Sequence, residues 1–198
     1  MKRILLIALM CSLGTLTAAA QGGGHPQANP APGQQPAPQP PPTLATWLKN
    51  YYTTSRNYLA KSAEKMPEEN YGMRPGPQTE VRTFGQIIGH VANANFLFCS
   101  LAKGEKDPAT TDYEKAATKA DLVKGLNDAF AYCDAVYNAL TDASLMETVT
   151  ITGANGRQAQ FVRAARLIQN VAHNNEHYGN LVTYFRIKSI VPPSSEPR

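Results

Sequence analysis

The chain has 198 residues, room for one ordinary domain, with 19 Lys and Arg against 15 Asp and Glu. Without Lys2 and Arg3 at the front the balance is 17 basic to 15 acidic residues, a net of +2. This near-balance removes the compositional case for nucleic-acid binding despite a sequence pI near 9.0, and no later stretch is long and apolar enough to cross a bilayer.

Residues 1–20 open on Met1-Lys2-Arg3, continue as ILLIALMCSLGTLTA and end in Ala18-Ala19-Ala20. A basic start, a short apolar run and a small-residue end predict a signal peptide cut before Gln21. Cys11 lies inside the apolar run behind Met10, so a lipid anchor is discounted. The mature protein is therefore expected to be exported, periplasmic or extracellular, and not membrane-spanning. Residues 21–42, QGGGHPQANPAPGQQPAPQPPP, hold eight of the fifteen prolines and no large apolar side chain. They read as a disordered tether, with His25 solvated and idle.

Helical patterning begins at Thr43, a candidate cap, and stops before Pro67. Leu44, Trp47, Leu48, Tyr51, Tyr58 and Leu59 predict the inward face of this first helix. After a loop rich in Pro and Gly, Thr83-Phe-Gly-Gln86 is a capping-box pattern that opens a second helix, and Gly104 closes it. Its apolar positions are Phe84, Ile87, Ile88, Val91, Ala94, Leu97, Phe98 and Leu101. The long connector GEKDPATTDYEKAA leads to a third helix, about 118–140, with Leu122, Leu126, Phe130, Cys133, Tyr137 and Leu140 on one face. Val149 and Ile151 alternate with threonines before Gly153-Ala-Asn-Gly156, which suits a short hairpin. A fourth helix is expected over about 158–188, ending before Pro192-Pro193. Four long amphipathic helices predict an all-α fold, a four-helix bundle over residues 43–193 with a tail at 194–198.

Cys99 and Cys133 remain after cleavage. In an oxidising compartment such a pair is more often a disulfide than a metal or catalytic site, and the alternative is two free buried cysteines. Cys99 lies sixteen residues after Thr83, and Cys133 fifteen after Thr118. If helices 2 and 3 run the same way, the thiols sit at one height. If they run oppositely, they are offset by about 15 Å, beyond the roughly 7 Å that a disulfide tolerates. A bridge therefore favours an up-down-down-up bundle with a long crossover between helices 2 and 3.

The stretch NVAHNNEHYGNLVTY carries His173 and His177 four residues apart, on one helical face. Two imidazoles at that spacing can converge on one ion, although a pair alone is equally an ordinary polar stripe. His90, in IIGHVANAN, shares its face with Ile87, Ala94, Leu97 and Leu101, so it looks into the bundle, where an imidazole needs a partner. In an up-down-down-up arrangement the second half of helix 4 comes level with the first half of helix 2. His90, His173 and His177 then meet as a candidate metal site.

TFGQIIGHVANAN with HNNEHYGNLVTYFRIKSIVPP resembles the DinB/YfiT-like superfamily of metal-binding four-helix bundles, over about residues 43–193. The HxxxHxGxLxxYxR…PP tail carries most of that likeness. The resemblance implies a divalent metal, zinc, nickel or iron, held by His90, His173 and His177. It also implies relatives that include thiol-dependent transferases and isomerases. Export and a cysteine pair set this chain apart from a cytosolic thiol transferase.

His173-Asn-Asn-Glu176-His177 also fits H-x-x-E-H, the inverted zinc-protease pattern, but that chemistry needs a downstream acid. The one acid after His177 is Glu196, beyond Pro192-Pro193, so the third ligand is missing. Glu176 is left as a weak catalytic candidate, either bonding an imidazole from behind or solvated. Gly179 reads as a close-packing glycine, and Asn93, Asn174, Asn180 and Tyr184 are candidates for orienting ligands or substrate. Three neutral imidazoles with no fourth protein ligand leave a bound ion open. The leading expectation is a metal-dependent hydrolase or group transferase with an unknown small-molecule substrate. A non-catalytic metal-binding protein, or an interaction module on a tether, is the alternative. A homodimer fits either.

Overall fold

Thr43 accepts a hydrogen bond from the backbone of Thr46 and starts helix α1, Leu44–Lys65. The computed structural model describes residues 41–153 and 155–197; the expected signal peptide and nearly all of the tether lie outside them. The helix ends ahead of Pro67, and the Lys119 ammonium donates to the Glu64 carbonyl in its last turn and to that of the cap residue Met66, at 2.8 Å each.

The inward stripe of α1 is Ala45, Leu48, Tyr52, Ser55, Leu59, Ser62 and Ala63. The expected face is thus out of phase by about one residue's rotation. Leu44, Trp47 and Tyr51 are exposed, and Trp47 and Tyr51 pack on one another outside, 5.2 Å between ring centroids. Small residues hold the seam because neighbouring helices crowd it. Tyr52, not Tyr51, enters because its hydroxyl finds Asp134 at 3.0 Å and its ring stacks on Tyr137, centroids 3.8 Å apart.

Helix α2, Phe84–Lys103, has the expected capping box at Thr83 and Gln86 and closes on Gly104 at φ 77°. Leu97, expected inside, is exposed. Helix α3, Lys119–Asn138, is capped by Thr118, and the single turn α4, Asp142–Leu145, follows. Strands β1, Thr148–Thr152, and β2, Gln158–Val162, then pair antiparallel, with Thr150 opposite Gln160. The fourth long helix, α5, is Arg163–Ile187. Its expected start near 158 gives way because Gln158–Val162 bonds to β1 instead, and the Arg163 amide donates to Glu147. Four long helices stand as expected; the all-α description lacks this hairpin.

Cys99 and Cys133 are fully buried and paired as a disulfide, Cα atoms 5.5 Å apart. Toward the start of the same two helices, a Cβ on Gly85 would touch Leu122. Between α2 and α5, Phe84 meets Phe185, and Arg163 donates to the Ala102 carbonyl. The apolar core is interrupted by a buried amide ladder. Asn95 exchanges hydrogen bonds with Asn174 at 2.8 and 3.1 Å and accepts from Asn170 at 2.9 Å, while Tyr137 donates to Asn170 at 2.9 Å. Each amide would cost about 1–3 kcal/mol if left unpaired, so this ladder fixes how α2, α3 and α5 mate.

Candidate metal centre

His90 comes from the second turn of α2, and His173 and His177 from consecutive turns of α5. His173 Nε2 lies 3.1 Å from His90 Nε2 and 3.1 Å from His177 Nε2. A ring nitrogen carries either a proton or a lone pair, so hydrogen bonds among three such atoms leave at least one contact unsatisfied. One cation accepting three lone pairs satisfies all of them. A tetrahedral ion with bonds of 2.0–2.1 Å needs its donor atoms about 3.3 Å apart, close to the two 3.1 Å distances from His173 Nε2, and all three ligand atoms lie within 4.8 Å of one another. Phe98 closes one side, its ring 5.5 Å from that of His173.

Charge favours lone pairs as well. Burial, with His90 and Arg82 nearby, holds His173 down to about 4, and burial with His173, His90 and Arg82 holds His177 to about 4. Both rings are therefore neutral at pH 7.

The outer nitrogens differ. His90 Nδ1 lies 2.5 Å from Glu114 Oε1. The same carboxylate accepts from Arg82 Nε at 3.1 Å and from a terminal guanidinium nitrogen at 3.4 Å. Partial burial works to raise the Glu114 carboxyl, but the hydrogen bonds from Arg82 and His90 prevail and hold it below the usual carboxylate range. His177 Nδ1 is 3.4 Å from the Asn180 amide, whose oxygen, turned to the ring, would accept an Nδ1 proton. His173 Nδ1 is buried without a partner among the described residues.

All three histidines singled out from the sequence thus come together. Glu176 does not join them. It is exposed and takes no part in the hydrogen bonds to these rings. Asn174 belongs to the amide ladder, while Asn93 donates to Asp112 and accepts from the Tyr113 amide. Tyr184 donates its hydroxyl to the Arg82 carbonyl. Gly179, read as a packing glycine, has open space where a Cβ would stand.

Glu114 is the residue that sequence reasoning missed. It sits in a 3-10 turn, Tyr113–Lys115, inside the connector, where no periodicity marks it. Two glycines in helical stretches carry the available signal. A Cβ on Gly89 would fall 2.2 Å from the Tyr113 carbonyl oxygen, and one on Gly125 would fall 2.2 Å from the Tyr113 ring. Both glycines exist where the connector presses between α2 and α3.

A cavity of about 310 Å³ reaches the centre, lined by Glu80, Arg82, Ile87, His177, Asn180 and Tyr184 among others. Its size suits a small molecule, and its lining sets Pro75, Val81 and Ile87 beside polar and charged side chains. No helix among the described residues is long and apolar enough to cross a membrane.

A model of the DinB superfamily matches residues 51–181. A DinB-like protein from Bacillus cereus ATCC 10987 superposes with a TM-score of 0.60 at 18% identity, over 77% of this chain and 97% of that one. A DinB-like protein from Bacillus subtilis does so with 0.57 at 19%, over 77% and 99%. A mycothiol-dependent maleylpyruvate isomerase is similar with 0.53 at 14% identity, and the match spans 70% of this chain and 61% of the isomerase. No curated protein matches. At such identities the solved structures speak to the fold alone.

Proposed function

Since the chain belongs to the DinB superfamily, we propose that it binds a divalent metal ion through His90, His173 and His177 and is a metal-dependent hydrolase or group transferase for a small substrate. The observation that carries this is the convergence of the three histidines from α2 and α5, with His173 Nε2 3.1 Å from the Nε2 atoms of both His90 and His177. Zinc, nickel and iron all suit three imidazole donors. When bound, the ion would supply Lewis acidity toward an oxygen or sulfur of the substrate.

The chain's own residues supply the rest. Three imidazole donors give the ion no carboxylate, so its charge is kept for the substrate, and Glu114 orients His90. The cavity admits a small molecule to the His177 side, where Asn180, Thr183 and Arg82 offer polar contacts. An opening of this kind favours catalysis over an ion that merely locks the bundle, which would be sealed. The fold shared with a thiol-dependent isomerase points the same way.

We also infer an up-down-down-up helix order. Support comes from Cys99 with Cys133 and Gly85 with Leu122 between α2 and α3. The pairs Phe84 with Phe185 and Ala102 with Arg163 support opposite directions for α2 and α5. The buried disulfide also supports export, as does the reading of residues 1–20. N-terminal sequencing of protein recovered outside the cytoplasm tests this, with Gln21 expected as the first residue.

The decisive experiment is metal analysis of protein purified without chelators, beside His90→Ala and His177→Ala. About one equivalent is expected in the wild type and little in either variant. Equally little metal in all three would end the metal reading. A loaded protein whose cavity takes up no small molecule would instead favour a binding role without catalysis.

A further inference from the structure

We propose that the connector between α2 and α3 is a working part of this centre, and that Glu114 is its positioning residue. It pins the His90 proton on Nδ1 and so turns a bare Nε2 toward His173 and His177. The inference deepens the metal reading above and rests on it for its purpose, but its geometry stands on the protein alone.

The reasoning starts from what a carboxylate can do. An ionised carboxylate only accepts, so the imidazole nitrogen 2.5 Å from Glu114 must be the donor. A neutral ring has one proton. If Nδ1 holds it, Nε2 has a lone pair, as a ligand requires. Arg82 keeps the acid in place and ionised, gripping both oxygens through two guanidinium nitrogens.

The backbone beneath Glu114 is seated with equal care. Asn93, one turn beyond His90 on α2, accepts from the Tyr113 amide at 3.0 Å and donates to Asp112 at 2.8 Å. Asp112 in turn accepts from the Glu114 amide at 3.2 Å, closing the turn. The Tyr113 ring lies over Gly125 of α3 and stacks on Phe96 with centroids 6.2 Å apart. Gly89, immediately before His90, has no side chain to keep the turn away. Contacts from two helices thus converge to put one carboxylate on one ring nitrogen. A solvated loop acid would need none of them.

The test uses full-length mature protein, wild type, Glu114→Gln and Arg82→Lys. In ion-free protein, 15N NMR of the imidazoles reads the tautomer of His90 directly. Wild type is expected to hold the proton on Nδ1, and Glu114→Gln, whose amide both donates and accepts, to show a mixture. Zn2+ affinity by chelator competition should fall about 10–100-fold in Glu114→Gln. Arg82→Lys, which keeps the charge but loses the two-point grip, should fall between. Thermal melts of the ion-free proteins check that each variant is folded, and Arg82→Lys carries the test if Glu114→Gln is not. An unchanged His90 tautomer with wild-type Zn2+ affinity in Glu114→Gln would overturn the proposal while leaving the metal reading intact. A wild type that fixes the tautomer through Glu114 yet binds no Zn2+ would leave the geometry standing and remove the metal reading.

Discussion

Replacing Gly89 by Ala leaves every candidate ligand in place and disturbs the backbone next to His90. The added Cβ would fall 2.2 Å from the Tyr113 carbonyl oxygen, 2.4 Å from its carbon and 2.7 Å from the Glu114 nitrogen. Ordinary contact is about 3.5 Å, and these are backbone atoms, so no rotamer change relieves the overlap. The turn must retreat by about 1 Å. Glu114 Oε1, now 2.5 Å from His90 Nδ1, would then stand about 3.5 Å away, outside hydrogen-bonding range. Overpacking costs about 1–3 kcal/mol, offset by the 0.5–1 kcal/mol or so that Ala gains over Gly in a helix. A net loss of about 1–2 kcal/mol in urea denaturation is expected. Zn2+ binding by chelator competition should weaken about 10-fold or more, approaching Glu114→Gln. Gly125→Ala should be milder at the centre, because its Cβ meets a ring that can swing. Wild-type stability together with wild-type affinity in Gly89→Ala would refute the reasoning, since a displaced turn could not leave both unchanged.

The depressed histidines give a pH dependence. Their folded values, about 4 against an ordinary 6.5, mean that the unfolded chain binds more protons between those limits. The stability of ion-free protein is therefore fully present above about pH 6.5 and falls as pH drops toward 4, by about 1–3 kcal/mol per ring after allowance for solvent screening. Urea titrations from pH 7.5 to 4.5 should show this slope, and His173→Asn/His177→Asn should flatten it; an unflattened slope would assign it elsewhere. The disulfide closes a segment with a sequence separation of 34, for which chain entropy suggests about 4 kcal/mol. Cys99→Ala/Cys133→Ala should lose about 2–4 kcal/mol by urea denaturation, and a loss below about 1 kcal/mol would show that the bridge contributes little.

Caps, helix count and the His173/His177 pair were legible because each is a local pattern, whereas His90 joined them only through the expected helix arrangement. Thr83 with Gln86, Gly104 and the four-residue spacing of His173 and His177 describe single helices and need no knowledge of neighbours. The misread face of α1 has the opposite cause. A hydrophobicity pattern ranks Trp47 and Tyr51 above Ala45 and Ser62, whereas a crowded seam selects for small size. Helix α5 begins later than its pattern predicts because Gln158–Val162 suits a helix until β1 offers it hydrogen bonds. Glu114 was hidden more deeply. Its role depends on two glycines 36 positions apart and on a connector folding back between them, and sequence spacing alone does not reveal that return.

The outward pair on α1 decides how the protein can be observed. Trp47 is the sole tryptophan of the chain, and it is 55% exposed. An indole already in water changes its emission little when the bundle comes apart, so intrinsic fluorescence will understate unfolding and will be nearly blind to the histidine centre. Far-ultraviolet circular dichroism, which follows the four helices themselves, is the signal to measure. The silent surface indole is in turn free to serve as a reporter for anything that settles on that outer face of α1.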